Sequence, residues 1–276
     1  MKLHPVNLKH VCKAVHAVPQ HLLRAMAFAA FLVSSIAYAQ HCLHGCPLGA
    51  AGQIIEREIY TLQNNAETKF SDWVAYRVTA ATIDGPSRSR NWRQDPDIHP
   101  SQTMSPQDYT RANAVLGTDR GHQVPLASFS NTEHWATTNY LSNITPQAAA
   151  LNQGPWARLE DAVRRLARAG HEVYVVTGPL YEWHFGTLPE SDKRHTIPSG
   201  YFKVVALIGD EHPLVSSFVM EQSIARGENF CHFEVTTLSV EHRTGLDVMP
   251  ELPPGVSHAL FRELRMLSPK LGCSSI

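Results

Sequence analysis

Four stretches of this chain are apolar at nearly every position or at alternate positions: 73–79, 172–177, 201–208 and 215–220, each ending near Gly, Pro or Asp. Their β-branched and aromatic content at that length predicts strands. Between 155 and 170 the period changes. Trp156, Leu159, Val163 and Leu166 recur at three- and four-residue steps, Pro155 suits a first helical turn, and Gly170 is placed to stop the helix. Shorter helices are predicted over about 239–243, ahead of Gly245, and from 258 to 267. Only one passage reads as strand, helix, strand, and the later strands follow each other through short connections. That favours an antiparallel or mixed sheet with helices on its faces, an α+β fold. Residues 83–118 hold Gly, Pro, Ser, Asp and Asn without a sustained period, so they predict a long irregular surface loop of the kind that carries function.

The first 39 residues have a different character. They contain Lys2, Lys9, Lys13 and Arg24 and no acid, then an apolar run over 25–37, then Ala37-Tyr38-Ala39 before Gln40. This pattern predicts a secretory signal with an A-x-A cleavage site; the run is shorter than the ~20 residues that span a membrane. Residues 40–276, without internal repeats or a linker-like shift in composition, read as one domain, exported as a secreted or periplasmic protein. Loss of the signal takes the formal net charge from −1 to −5. Any function on a polyanion therefore requires locally concentrated positive charge.

Of the five cysteines, Cys12 leaves with the signal, and Cys42, Cys46, Cys231 and Cys273 remain in an oxidising compartment. Four cysteines allow three pairings. Cys42–Cys46 would close a tight local loop and Cys231–Cys273 would pin the C-terminal tail. A rival reading makes His41-Cys42-Leu43-His44-Gly45-Cys46 a zinc or copper clip; under the disulfide reading His41 and His44 are ordinary exposed side chains.

The candidate chemistry lies in Asp119-Arg120-Gly121-His122, followed by Asn143, Asn152 and Glu160. A neutral imidazole accepts a proton from water near pH 7. An arginine fork fits a phosphate, and an amide oxygen with a carboxylate suits a hard ion such as Mg²⁺. No residue reads as a covalent nucleophile. Each member has a plainer reading alone: Glu160 as an i,i+4 surface partner of Arg164, Asn152 as a helix N-cap, Asn143 as a turn residue, His122 as a structural histidine. Glu160 lies eight residues beyond Asn152, roughly 12 Å of helical rise, which argues that Glu160 reaches an ion through water. Arg88, Arg90, Arg93 and Arg111 of the long loop, with Arg120, supply the positive surface a −5 chain needs. Trp92 and Tyr109 read first as residues packing that loop and second as base-stacking groups.

Three segments, 119–127 (Asp-Arg-Gly-His-Gln-Val-Pro-Leu-Ala), 139–147 (Asn-Tyr-Leu-Ser-Asn-Ile-Thr-Pro-Gln) and 151–160 (Leu-Asn-Gln-Gly-Pro-Trp-Ala-Arg-Leu-Glu), together resemble the DNA/RNA non-specific endonuclease family, most nearly its secreted members. Arg90-Asn91-Trp92, 176–181, 195–199, 243–246 and the four mature cysteines match as well. The resemblance implies a ββα-metal core in a layered sheet flanked by helices, and hydrolysis of DNA and RNA to 5′-phosphate ends. His122 would be the general base, Asn152 the direct protein ligand of Mg²⁺ (with Mn²⁺ as a substitute), and Glu160 the carboxylate that orders the metal's waters. Arg90, Arg120 and Asn143 would serve the phosphate or transition state. It also implies a homodimer. Residues 182–185 are more apolar than the family pattern, and 248–268 match poorly, which leaves substrate preference and dimer contacts open. The rivals are a catalytically silent secreted nucleic-acid-binding protein on the same fold, and a zinc phosphatase or nuclease, for which no H-x-H or H-E-x-x-H cluster is present.

Overall fold

The computed structural model describes residues 40–273; the expected signal lies outside the described residues. A seven-stranded sheet runs β1-β2-β3-β6-β7-β8-β9, with every neighbouring pair antiparallel. Its strands are β1 Gln53–Glu56, β2 Thr61–Asn64, β3 Ser71–Val78, β6 Val173–Leu180, β7 Gly200–Leu207, β8 Leu214–Glu221 and β9 Glu234–Val235. A separate two-stranded ladder pairs β4 Thr118–His122 with β5 Ile144–Ala148. The helices are α1 Ala112–Leu116, α2 Ala149–Leu151, α3 Ala157–Arg168, α4 Thr237–Thr244, α5 Pro254–Leu260 and α6 Ser268–Leu271.

Strand alternation sends side chains to two cores. Val74, Tyr76, Val78, Val173, Val175, Tyr201 and Val205 face one side, where α3 covers them with Leu159, Ala162, Val163 and Leu166. Trp73, Ala75, Val176, Phe202, Val204 and Ala206 face the other, under Val240 of α4 and Leu260 of α5. The expected α+β layering is therefore present, with the central strands buried on both faces.

The long helix begins earlier than Pro155. β5 passes directly into α2, a wide π-turn over Asn152–Trp156 and then α3. Gly154 sits in that turn with non-helical angles (φ −110°, ψ −118°), and a Cβ there would lie 2.7 Å from the Arg226 carbonyl oxygen. Pro155 follows, lacking the N–H a regular helix would use. The sequence β4, β5, turn, α3 forms the ββα unit.

Three expectations change. The helix expected over 258–267 runs instead from Pro254 to Leu260, because Pro254 starts it and Arg265, at φ 65°, is left-handed and incompatible with continuation. Cys42–Cys46 and Cys231–Cys273 are both disulfides, so the clip reading fails with its sulfurs committed to each other. His41 is buried, its ring bonded to Thr61 Oγ1 (3.0 Å) and the Glu58 carbonyl (3.2 Å), and only His44 is exposed. Finally, the 83–118 segment is anchored. Asp95 is buried and pairs with Arg57 at 2.5 Å, and the Tyr109 hydroxyl donates to the Ile144 carbonyl at 2.9 Å.

The β4–β5 ladder admits no side chain at Gly121, where a Cβ would approach Gln147 Oε1 to 2.4 Å and Gln147 Cβ to 2.6 Å. Gly121→Ala is expected to destabilise the protein by about 1–3 kcal/mol through overpacking and to lower activity with it. Urea unfolding of the variant tests this, and an unchanged midpoint would show that Gln147 moves aside freely.

Candidate active site

Alternation along β4 puts Arg120 and His122 on one side. With Arg90, Trp92, Asn152, Glu160 and Arg164 they line a cleft of about 640 Å³ between the ladder, the head of α3 and the anchored loop. His122 is oriented from behind. Its Nε2 is 3.3 Å from Asn139 Oδ1, and the Asn139 amide nitrogen donates to the Ser89 carbonyl at 3.1 Å. Because that nitrogen is committed, the amide oxygen faces the ring, which assigns the proton to Nε2 and the free lone pair to Nδ1. Burial holds the imidazole well below its ordinary value, at about 4; the Asn139 bond opposes this shift and the Arg90 charge adds to it. The ring is therefore neutral at physiological pH and able to accept a proton.

Asn152 is fixed by a residue that pattern reading passed over. The carboxylate of Asp119 accepts from Asn152 Nδ2 (2.9 Å), Gln153 Nε2 (2.8 Å) and Asn113 Nδ2 (3.3 Å). With its nitrogen held by an anion, Asn152 has its amide oxygen as the atom that could hold a cation. Glu160, one α-turn beyond Trp156, is half-buried at the cleft wall; burial raises its carboxyl pKa, while Lys203 and Arg164 act to lower it. These are hard oxygen donors, and among the described residues no group of three or more His, Cys, Asp or Glu could hold a metal. An amide oxygen with a carboxylate is the kind of donor set that suits a hard, largely hydrated cation.

Arg120 is stacked near Trp92 (5.7 Å) and Tyr109 (5.3 Å), with Nη2 donating to the Pro106 carbonyl at 3.3 Å. Trp92 also lies 5.2 Å from the His122 ring. These aromatics therefore stiffen two of the groups that line the cleft. Arg90 is exposed at the cleft.

Several expected members lie elsewhere. Asn143 is fully buried: its oxygen accepts from Val124 N (2.8 Å) and its nitrogen donates to the Val124 and Thr138 carbonyls (3.1 and 2.9 Å). Its whole amide is spent on backbone, so it supports the loop behind His122 and does not reach the cleft. Arg88 donates to the Ser130 carbonyl at 2.8 Å and packs over Trp135, and Arg111 pairs with Glu190 at 3.4 Å. Arg93 is exposed near Tyr140. None of the three lines the cleft. Nor is Glu160 a surface partner of Arg164, whose guanidinium binds Asp161. Arg164 instead lines the cleft while being nearly buried, a role its spacing did not suggest.

A histidine, a cation-ready amide and arginines in one polar cleft at a ββα junction agree with what comparison shows. The profile of the DNA/RNA non-specific endonuclease family matches residues 37–254. The chain belongs to that family. The nuclease of Serratia marcescens is 44% identical over 264 residues, covering 91% of this chain and 98% of the relative. Human mitochondrial endonuclease G is 29% identical over 228 residues, covering 74% and 72%. Among solved structures, EndoG in its complex with EndoGI superposes with a TM-score of 0.65 at 26% identity, covering 76% of this chain and 90% of that one. As a DNA/RNA non-specific endonuclease the chain hydrolyses nucleic acid.

The His122 shift has a consequence for stability. The imidazole is depressed from 6.5 to about 4 in the fold, so between those values the unfolded chain binds the extra proton. Stability from this group is complete above about pH 6.5 and is lost as pH falls toward 4, by roughly 3 kcal/mol in all. Urea titrations at pH 4.5 and 7 should show a smaller pH dependence for His122→Asn than for the natural protein. Equal slopes would mean that the ring is not held neutral.

Proposed function

We propose that this endonuclease is exported after removal of residues 1–39, that residues 40–276 form its single domain, and that it cleaves DNA and RNA alike with Mg²⁺. The observation that carries the reading is the pairing of two fixed orientations in one cleft: His122 by Asn139, and Asn152 by Asp119. His122 Nδ1 takes the proton from a water as that water attacks phosphorus opposite the 3′ oxygen, leaving 5′-phosphate and 3′-hydroxyl ends. Arg90 and Arg120 hold non-bridging phosphate oxygens and offset the charge that grows on them. Asn152 would hold the ion directly and Glu160 through water, and the bound ion would supply further charge neutralisation at the phosphate. Water, not a ribose 2′-hydroxyl, is the nucleophile, so the sugar does not enter the chemistry. Phosphate contacts position the strand without reading its bases.

Incubating the mature chain with plasmid DNA and with RNA, each with Mg²⁺ and with excess chelator, tests the reading. Both substrates should be degraded with Mg²⁺ and neither with chelator, and His122→Ala should lower turnover by roughly two to four powers of ten while remaining folded. Undiminished turnover in that variant would remove His122 from the role of base.

The metal site is checked separately by calorimetry. Asn152→Ala should abolish or strongly weaken Mg²⁺ binding. Asp119→Ala, which frees the amide to rotate, should weaken it by roughly 10–100-fold. Glu160→Gln should have a smaller effect than Asn152→Ala; equal losses would make Glu160 a direct ligand.

A further inference from the structure

Strand β7, Gly-Tyr-Phe-Lys-Val-Val-Ala-Leu, contains one charged residue. Alternation places Lys203 on the face of Tyr201 and Val205, beneath α3, and it is fully buried. A buried ammonium needs partners. Here Nζ donates to the Tyr76 hydroxyl at 3.1 Å and lies 4.4 Å from the Trp156 ring centroid and 5.7 Å from that of Tyr76. None of these groups is an anion.

The carboxylate one helical turn beyond Trp156, whose ring the ammonium rests on, is Glu160. Apart from burial, Lys203 is the largest influence on Glu160, and Glu160 is the largest on Lys203. Tyr76, which holds the ammonium, also feels the Glu160 charge. Trp156 lies one turn before Glu160 on the helix, and its buried indole N–H, which has no hydrogen bond of ordinary geometry, favours the charged carboxylate. Glu160 therefore faces the cleft on one side and this cationic, aromatic backing on the other.

We propose that Lys203, clamped by Tyr76 and Trp156, is a positioning residue for the reaction: its buried charge holds the Glu160 carboxylate in place at the cleft wall from behind. The assignment rests on the reading of Glu160 as part of the catalytic cleft. Lys203 itself touches neither substrate nor ion. A purely structural lysine would be expected to be replaceable by an apolar residue of similar length without specific loss of function, since burying its charge is costly.

The test is a double-mutant cycle of Lys203→Met with Glu160→Gln in the mature chain, read by kcat, by Mg²⁺ affinity from calorimetry, and by thermal midpoint. Lys203→Met alone should lower kcat and Mg²⁺ affinity by roughly 10–100-fold. In the Glu160→Gln background the same substitution should change either quantity less than about twofold, since the group through which Lys203 acts is already neutral. The double variant should melt no lower than Lys203→Met. Additive losses, or an undisturbed Lys203→Met, overturn the proposal. If Lys203→Met does not fold, Glu160→Gln and the double variant, in which no buried charge is stranded, decide alone; lower activity or affinity in the double variant then overturns it. An inactive natural protein would instead refute the cleft assignment beneath it.

Discussion

The carboxylate of Asp119 is the point on which the active site depends. It sits on β4 three residues before His122 and binds the amides of Asn152 and Gln153 in the π-turn ahead of α3. The ladder carrying His122 and the helical turn carrying Asn152 are thus joined by charge-assisted hydrogen bonds, each stronger than a neutral one. The backbone departs from a regular helix at Gly154, directly after Asn152 and Gln153. The consecutive side chains of Asn152 and Gln153 both reach the same carboxylate oxygen.

Electrostatics around the cleft works by desolvation and placement more than by net charge. A chain with an acidic balance cannot attract a polyanion through its overall field, and three of the loop arginines that sequence order suggested for this work lie outside the cleft. What remains within it is Arg90, Arg120 and Arg164. Arg120 and Arg164 are stiffened by aromatic faces or by a neighbouring carboxylate. The same partial burial that strengthens an arginine's effect on a nearby anion disfavours the charged form of His122, so one environment acts on both kinds of group.

How much of this was legible follows the physics of each element. Strands 73–79, 172–177, 201–208 and 215–220 were visible because the sheet is covered on both faces, and α3 because its stripe meets a single core. β1 and β2 were missed since Gln53, Thr61, Gln63 and Asn64 break the apolar pattern, and Gln63 and Asn64 are buried through hydrogen bonds, not hydrophobicity. β4 is short and polar because it forms the site, and β5, its partner in the ladder, is too short to show a pattern. Motif spacing located His122, Arg120, Asn152 and Glu160 in one region, and all four line the cleft. It could not reveal direction: Asn143 has the right residue type but spends its amide on backbone, whereas Asp119 and Asn139, inside the same matching segments, supply the orientation. Lys203 was readable in principle as the lone charge in an apolar strand.

A site that offers a cation one amide oxygen and a carboxylate has little intrinsic affinity with which to define geometry, in contrast to a cage of several anionic ligands. Orientation must then come from residues that never touch the reacting atoms. Asp119 supplies it for Asn152 and Asn139 for His122, and each does so by engaging the nitrogen that the chemistry does not need. Asn139 must for this be buried and fully bonded, part of it to the Ser89 carbonyl of the long loop, while Asp119 stays half-exposed under three amide donors. That requirement accounts for the long 83–118 segment being pinned to the body by Asp95 and Tyr109 instead of moving freely. A mobile loop would carry Trp92 and Tyr109 away from Arg120, and with them the stacked arrangement on that side of the cleft.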